Sequence, residues 1–214
     1  MRELVYYVAV SLDGYIAGPG GEFDAFPVEG DHMAAQNERF SDAIPTVIAD
    51  AMGIKSTGTM FDTVLMGWNT YAVGLPVGMT SPYQHLRQVV FSRTKSEADI
   101  PGEHPNLTLT SEDPVEVVRR LKSEPGRSIW LCGGGELATQ LANEIDRLVL
   151  KRSPLLFGDG IPLFAPGTYQ PRAFDEAGTT AFDSGVVISE YVRRNPSRTA
   201  IQQPASGTPA SAPE

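Results

Sequence analysis

Three consecutive glycines provide the strongest chemical signal in the sequence. They lie in Cys132-Gly133-Gly134-Gly135-Glu136, after an apolar strand and before an amphipathic helical segment. Because glycine has no side chain, the backbone there can approach a ligand closely, and the free N–H groups that begin a helix attract anions. A pyrophosphate group suits such a turn at the carboxyl end of a strand. The alternative is a tight turn that needs only positive φ, for which one glycine is enough.

Three further segments follow predicted strands and have side chains or glycines suited to phosphate. Gly67-Trp68-Asn69-Thr70-Tyr71 precedes a short helix, so its N–H groups could hold a phosphate, or Asn69 or Thr70 could simply cap the helix. The Ser92-Arg93-Thr94 cluster suits a 2′-phosphate, although a polar strand end needs no ligand. The glycine-rich loop 11–21, which contains Asp13, is either a mobile lid or a plain connector.

The elements that position these segments are strands and helices in alternation. Short apolar runs are typical of central strands in a largely parallel sheet, and their alternation with helices indicates an α/β protein. The predicted strands are 4–10, 63–66, 88–91, 107–109, 128–132, 147–150 and 185–192, and the predicted helices are 31–43, 46–52, 114–123 and 135–143. Asp113 as N-cap, Pro114 and Glu116 mark the start of the third helix as a capping box. We predict a three-layer α/β fold with helices on both faces and the final long strand antiparallel at an edge.

Composition limits the class of protein. The 214 residues fit one domain, predicted at 1–194, and Asn195–Glu214 is rich in proline, alanine and serine, which predicts a disordered tail. A net charge of −9 argues against binding to nucleic acid or to an anionic membrane. The only cysteine is Cys132, which excludes a disulfide framework and a multi-cysteine metal site, and no metal site is predicted. Neither a signal peptide nor an apolar stretch of ~20 residues is present, so a cytoplasmic protein is expected.

Taken together and in this order, the segments resemble the dihydrofolate reductase fold. More closely, they resemble the reductase domain of riboflavin biosynthesis, the C-terminal half of bacterial bifunctional deaminase-reductases, and its stand-alone relatives. The matching segments are 8–17, 64–71, 90–93, 129–135, 144–148 and 158–164. The resemblance covers most of 1–194, and it rests on the order and spacing of the motifs rather than on any single one.

The resemblance implies an NADPH-dependent reductase that transfers hydride to a pyrimidine-like or pterin-like ring. Ala9 and Ile16 would then border the nicotinamide. The implied phosphate contacts are Gly67, Trp68, Asn69 and Thr70, with Ser92 and Arg93 at the adenosine 2′-phosphate and Gly133, Gly134, Gly135, Glu136 and Leu137 at the pyrophosphate. Relatives commonly pair through a sheet edge, so a homodimer that binds a small heterocyclic substrate is expected.

Two departures from the family pattern leave alternatives open. The family usually has a basic residue after the glycine of the second motif, where this chain has Trp68, so NADH as the cofactor remains open. Dihydrofolate reductases carry an acidic residue about five positions after a Trp, and here Phe26 and Asp31 occupy those positions. Asp31 and Asp13 are therefore the candidate catalytic carboxylates, although a helix N-cap explains Asp31 better. Dihydrofolate reduction and a nucleotide-binding module without turnover are the alternative functions.

Overall fold

A computed structural model describes residues 1–167 and 169–194 of the chain. The ten strands in this part are β1 Leu4–Val10, β2 Tyr15–Ala17, β3 Phe61–Gly67, β4 Arg87–Phe91, β5 Leu107–Thr110, β6 Ser128–Gly133, β7 Arg147–Arg152, β8 Ile161–Pro162, β9 Phe174–Ala181 and β10 Val187–Arg193. The α-helices there are α1 Asp31–Arg39, α2 Thr46–Ala51, α3 Trp68–Ala72, α4 Pro114–Ser123 and α5 Gly135–Gln140. The tail predicted at 195–214 lies outside the described residues.

Eight of these strands form one sheet in the order β5-β4-β3-β6-β1-β7-β10-β9. The six strands from β5 to β7 run parallel, whereas β10 is antiparallel to β7 and to β9. Because the carboxyl ends of parallel strands lie at the same end of a sheet, the loops after β1, β3, β4 and β6 meet there. The short strands β2 and β8 pair with each other beside this end.

The sheet is buried on both faces, which explains the continuous apolar runs of its central strands. In β1, Leu4 and Tyr6 belong to one core, together with Val118 and Leu121 of α4 and the apolar side of α5. Val5 and its neighbours on the other face belong to a second core, which Phe40 and α3 help to form. The three-layer α/β fold with helices on both faces is therefore confirmed.

Several local predictions differ from the structure. The antiparallel C-terminal edge of the sheet is confirmed, but it consists of two strands, because β9 lies on the outer side of β10. The helix predicted at 31–43 ends at Arg39 and is followed by a 3₁₀ turn, and the one predicted at 135–143 ends at Gln140. Asp113 caps α4 as predicted, accepting hydrogen bonds from the N–H groups of Val115 and Glu116. Within the described residues, no helix is both long and apolar enough to cross a membrane.

Candidate active site

A cavity of about 310 Å³ separates the sheet from α1 and α2. Its walls are mainly apolar and aromatic. They include Met33, Phe40, Ile44, Ile48, Tyr83 and Trp130. Polar groups of Gln36, Asn37 and Lys151 also line it, and a cavity that combines apolar walls with such groups is typical of a small-molecule site.

A second cavity of about 260 Å³ adjoins the first. It lies beneath the loop that follows β2 and is lined by Ile16, Phe26, Val28, His32, Ser153 and Val186. Ala9 and Lys151 line both cavities, so two ligands that filled them would meet at these residues. The strand positions of Ala9 and Lys151 explain this, because the two residues are direct partners on β1 and β7.

Lys151 is a partly buried residue whose ammonium group lies on the wall shared by the two cavities. Its Nζ donates a hydrogen bond to Gln36 Oε1 at 2.9 Å and lies 4.9 Å from the centroid of the Tyr7 ring. In the described part of the chain, no carboxylate lies within 4.0 Å of this ammonium group. Burial lowers the pKa of Lys151 to about 8, so the group exchanges its proton near neutral pH. Burial also raises the pKa of the Cys132 thiol to about 11, so this neighbour stays neutral.

The glycine segments after β3 and β6 lie side by side, since Met66 pairs with Gly133. A Cβ at Gly67 would meet no described atom within 4 Å, and one at Gly134 would meet only Thr70 Oγ1, at 3.8 Å. The two glycine segments therefore form an open cradle, which we call the glycine cradle (Gly67, Thr70, Gly133 and Gly134). Side chains would partly fill it. No side chain of the described residues forms a capping hydrogen bond at the start of α3 or α5.

The glycine triplet combines two requirements. Gly133 has φ of 147°, a backbone conformation that favours glycine, and the peptide bond from it to Gly134 is cis. A Cβ at Gly135 would lie 2.2 Å from the carbonyl oxygen of Pro162, so this glycine is needed for packing. Only Gly134 lacks such a reason and faces the open cradle. Both interpretations of the glycine triplet therefore hold in part: Gly133 and Gly135 are needed for the turn and its packing, and Gly134 leaves open space where a ligand could bind.

Basic side chains lie at the end of β4, next to the glycine cradle. Arg93 is exposed, and among the described residues no carboxylate lies within 4.0 Å of its guanidinium. Lys95, which the sequence analysis missed, lies over the Trp68 ring at 5.2 Å from the centroid. The Ser92 hydroxyl accepts hydrogen bonds from the N–H groups of Thr94 and Lys95, so it shapes the turn. A cation therefore accompanies Trp68 where the family pattern usually has a basic residue.

The other predicted cofactor residues take several positions. Ile16 lines the second cavity, and Asn69 is exposed on α3. The helix begins at Trp68 with Gly67 as N-cap, so the prediction that Asn69 or Thr70 caps it was wrong. Glu136 is exposed, whereas the side chain of Leu137 packs into the core, which leaves only its backbone for a ligand.

Asp13 lies outside both cavities and holds a loop. Its carboxylate accepts hydrogen bonds from the Ser11 hydroxyl at 2.5 Å and from the backbone N–H groups of Phe157 and Gly158. The Ser11 hydroxyl is the main reason that the pKa of Asp13 is lowered to about 2, and the two N–H groups add to it. A carboxylate with so low a pKa carries no proton to donate near neutral pH.

Asp31 also faces away from the cavities, toward the loop between β9 and β10. It accepts hydrogen bonds from the N–H groups of Asp183 and Ser184 at 2.8 and 3.1 Å. Desolvation raises the pKa of Asp31, but these hydrogen bonds outweigh it and the pKa is lowered. Asp31 is the first residue of α1 and Gly30 is its N-cap, so the N-cap interpretation was wrong. The observed contacts make Asp31 an anchor of α1 on the hairpin.

Two further contacts fix α1, which forms the outer wall of both cavities. His32 Nδ1 lies 2.9 Å from the Ser184 hydroxyl, at the start of the helix. At its other end, Arg39 forms a bidentate ion pair with Glu190 of β10. The wall is thus attached at both ends to the β9–β10 hairpin.

A parallel sheet with helices on both faces and a cavity at the carboxyl end of β1 defines the dihydrofolate reductase-like class of folds. The chain matches the model of the RibD C-terminal domain over residues 2–188 and belongs to that family. The family and the fold expected from the resemblance are therefore confirmed.

The chain is also similar to individual proteins. The chain is 34% identical to the uncharacterized protein YwjB of Bacillus subtilis over 197 residues, which are 90% of this chain and 98% of that protein. A putative riboflavin biosynthesis protein from Shewanella sp. PV-4 has a similar fold, with a TM-score of 0.67, 24% identity and coverage of 91% of this chain and 100% of that one. A diaminohydroxyphosphoribosylaminopyrimidine deaminase/5-amino-6-(5-phosphoribosylamino)uracil reductase from Thermotoga maritima has a TM-score of 0.57 at 16% identity, with 90% of this chain and 57% of that chain covered.

Proposed function

We propose that this protein is a reductase that uses NADPH to transfer hydride to a pyrimidine-like or pterin-like ring. The observation that carries the proposal is the meeting of two cavities at Ala9 and Lys151, beside the carboxyl ends of the strands. One cavity has room for the nicotinamide and the other for the substrate ring. The family and the reductase named for the Thermotoga relative support the same reaction type.

The residues at the strand ends fit a pyridine nucleotide. The glycine cradle leaves backbone groups open at two adjacent helix starts, which suits a pyrophosphate. Arg93 adds an exposed cation at the neighbouring strand end, which suits the 2′-phosphate that distinguishes NADPH from NADH, whereas Lys95 beside it is paired with Asp99 at 3.3 Å. These residues would hold the cofactor, and Ala9 and Ile16 would border its ring.

Lys151 is the proton donor in this proposal. The bound cofactor supplies a hydride, which the substrate accepts at a ring or imine carbon. The ammonium of Lys151 donates a proton to the adjacent nitrogen or oxygen, and its amine then recovers a proton from water. Its pKa of about 8 suits this exchange.

The alternative functions predict different observations. Dihydrofolate reduction requires a working acid at the substrate, yet no Asp or Glu of the described residues lines either cavity. A nucleotide-binding module would bind NADPH without turning over any ring compound. The homodimer expected from the resemblance stays a prediction, which sedimentation at micromolar concentration would test.

Tryptophan fluorescence tests the cofactor assignment directly. Trp68 lies beside the glycine cradle and Trp130 lines the first cavity, so bound NADPH should quench the emission. We expect saturable quenching that is tighter with NADPH than with NADH, followed by oxidation of NADPH when a pyrimidine substrate is added. Binding without turnover on pyrimidine, pterin and folate compounds would favour the binding module. The absence of saturation with both nucleotides would refute the cofactor assignment.

A further inference from the structure

The charge on the cavity walls carries information about the substrate. In the described part of the chain, Lys151 is the one cation on the wall of the first cavity, and the second cavity adds only His32. Both ring nitrogens of His32 are already engaged, one with Ser184 and the other with the carbonyl oxygen of Pro27 at 3.3 Å. Among residues 1–167 and 169–194, no arginine lines either cavity.

A phosphate group would not be accommodated by these walls. Buried phosphates are usually held by several charge-assisted hydrogen bonds, typically from arginine side chains or clustered backbone N–H groups. A single ammonium that loses its proton near pH 8 cannot balance a dianion among apolar side chains. The net charge of −9 adds long-range repulsion of anions.

Two cationic residues near the first cavity do not supply the positive charge that a phosphate would need. Arg39 is paired with Glu190, and Lys55 is exposed on the loop after α2 and does not line the cavity. By contrast, Arg93 is exposed at the end of β4 beside the glycine cradle and has no carboxylate within 4.0 Å among the described residues, whereas the neighbouring Lys95 is paired with Asp99 at 3.3 Å. The cofactor side of the site therefore has an exposed arginine suited to phosphate, which neither cavity wall has among the described residues.

Resting on the proposed reductase function, we infer that the substrate of this site carries no phosphate. It is an uncharged planar ring that binds through aromatic and apolar contacts and presents one carbonyl or imine group to Lys151. This distinguishes the chain from the Thermotoga relative, whose name specifies a phosphoribosyl compound. The inference concerns the substrate side only, and it leaves the phosphates of the cofactor unaffected.

A matched pair of ligands tests the inference by binding alone. The pair is 5-amino-6-(ribosylamino)uracil and its 5-phosphate, which differ only in the phosphate. In a Trp68→Phe protein, Trp130 on the cavity wall is the remaining tryptophan and reports occupancy of the cavity. We expect the neutral compound to quench the Trp130 emission saturably. If the phosphate compound also quenches it, its dissociation constant should be at least about tenfold larger.

Charge variants at the mouth of the cavity sharpen the test. Met52 lines the first cavity and is 54% exposed, so Met52→Arg adds a cation there and should reduce the preference for the neutral compound. Val47 is 56% exposed on α2, which Met52 directly follows, but it does not line the cavity, so Val47→Arg is the matched control and should leave the preference unchanged. An equal effect of both variants would show that only general charge matters, and it would contradict the inference.

Two results would overturn the inference. These are equal or tighter binding of the phosphate compound, and absence of saturable binding by both compounds. Turnover with NADPH separates this inference from the proposed function. Preferred binding of the neutral compound without reduction would refute the reductase and leave the ligand class standing. Faster reduction of the phosphate compound would refute the ligand class and leave the reductase standing.

Discussion

Replacing Lys151 by methionine should stabilise the protein while removing its activity. Burial lowers the pKa of Lys151 from 10.5 to about 8, which corresponds to about 3 kcal/mol at about 1.4 kcal/mol for each tenfold change in proton affinity. The methionine side chain keeps a similar length and carries no charge. Loss of the hydrogen bond to Gln36 destabilises the variant by about 1 kcal/mol, which offsets part of this gain. We therefore expect Lys151→Met to raise the free energy of unfolding by about 2 kcal/mol at pH 7.

The pH dependence gives this prediction a clear sign. Between pH 8 and 10.5 the unfolded chain keeps the Lys151 proton while the folded protein has lost it, so the wild type gains stability as the pH rises. The stability difference between the two proteins should therefore shrink over that range. Urea unfolding at pH 7, 8.5 and 10 measures it, and the comparison cancels all other titrating groups. A difference that does not change with pH would refute the assigned burial of the ammonium.

Turnover and a control lysine complete the test. Without its proton donor, Lys151→Met should lose about 10²-fold or more in kcat, and wild-type turnover should fall as the pH rises through about 8. Lys122 is also buried, but its ammonium contacts Asp146 and the carbonyl oxygen of Glu144, each at 2.6 Å. Lys122→Met should thus destabilise the fold, by about 1–3 kcal/mol, and leave kcat unchanged. Normal turnover by Lys151→Met would exclude it as the proton donor.

Three further substitutions test other parts of the site. Arg93→Ala should raise the KM for NADPH about tenfold and leave that for NADH unchanged, because only NADPH has a 2′-phosphate; equal effects in steady-state kinetics would contradict this. Asp31→Asn should keep kcat and lower the free energy of unfolding measured in urea, because the hydrogen bonds to the hairpin weaken, whereas loss of turnover would support a catalytic role for Asp31. Gly67→Ala should fold normally but bind NADPH more weakly in the fluorescence titration. Gly135→Ala should disrupt folding, because its Cβ would meet the Pro162 carbonyl oxygen. A Gly67→Ala protein that binds NADPH as tightly as the wild type would refute the role of the glycine cradle.

Most of the fold could be predicted because its strands are buried on both faces. Such strands give continuous apolar runs, and each of the seven predicted runs overlaps an observed strand. The edge strand β9 could not be found this way. Almost all of its residues are exposed, so Phe174–Ala181 shows no apolar periodicity, and only its pairing with β10 makes it a strand. Sequence patterns also overestimated the lengths of α1 and α5, whose ends depend on tertiary packing.

The site was only partly predictable, because its residues come from distant parts of the sequence. The glycine segments are local signals, and the structure brings them together as the sheet topology requires. Lys151 gave one local signal that was missed: it follows the buried Val149 on the same face of β7, where an apolar residue is expected. Its chemistry depends on α1 covering it, which no local pattern shows. Likewise, the partners of Asp31 lie about 150 positions away in the sequence.

The double attachment of α1 determines how ligands can reach the site. Asp31 at one end and Arg39 at the other join the helix to the β9–β10 hairpin, so it cannot swing outward without breaking both connections. Exchange of substrate and product must then pass the loops on either side of the helix, the one before Gly30 and the one after α2. Sequence changes in these two loops should alter the rates of ligand association and release, while changes in the hairpin should alter the width of the cavities.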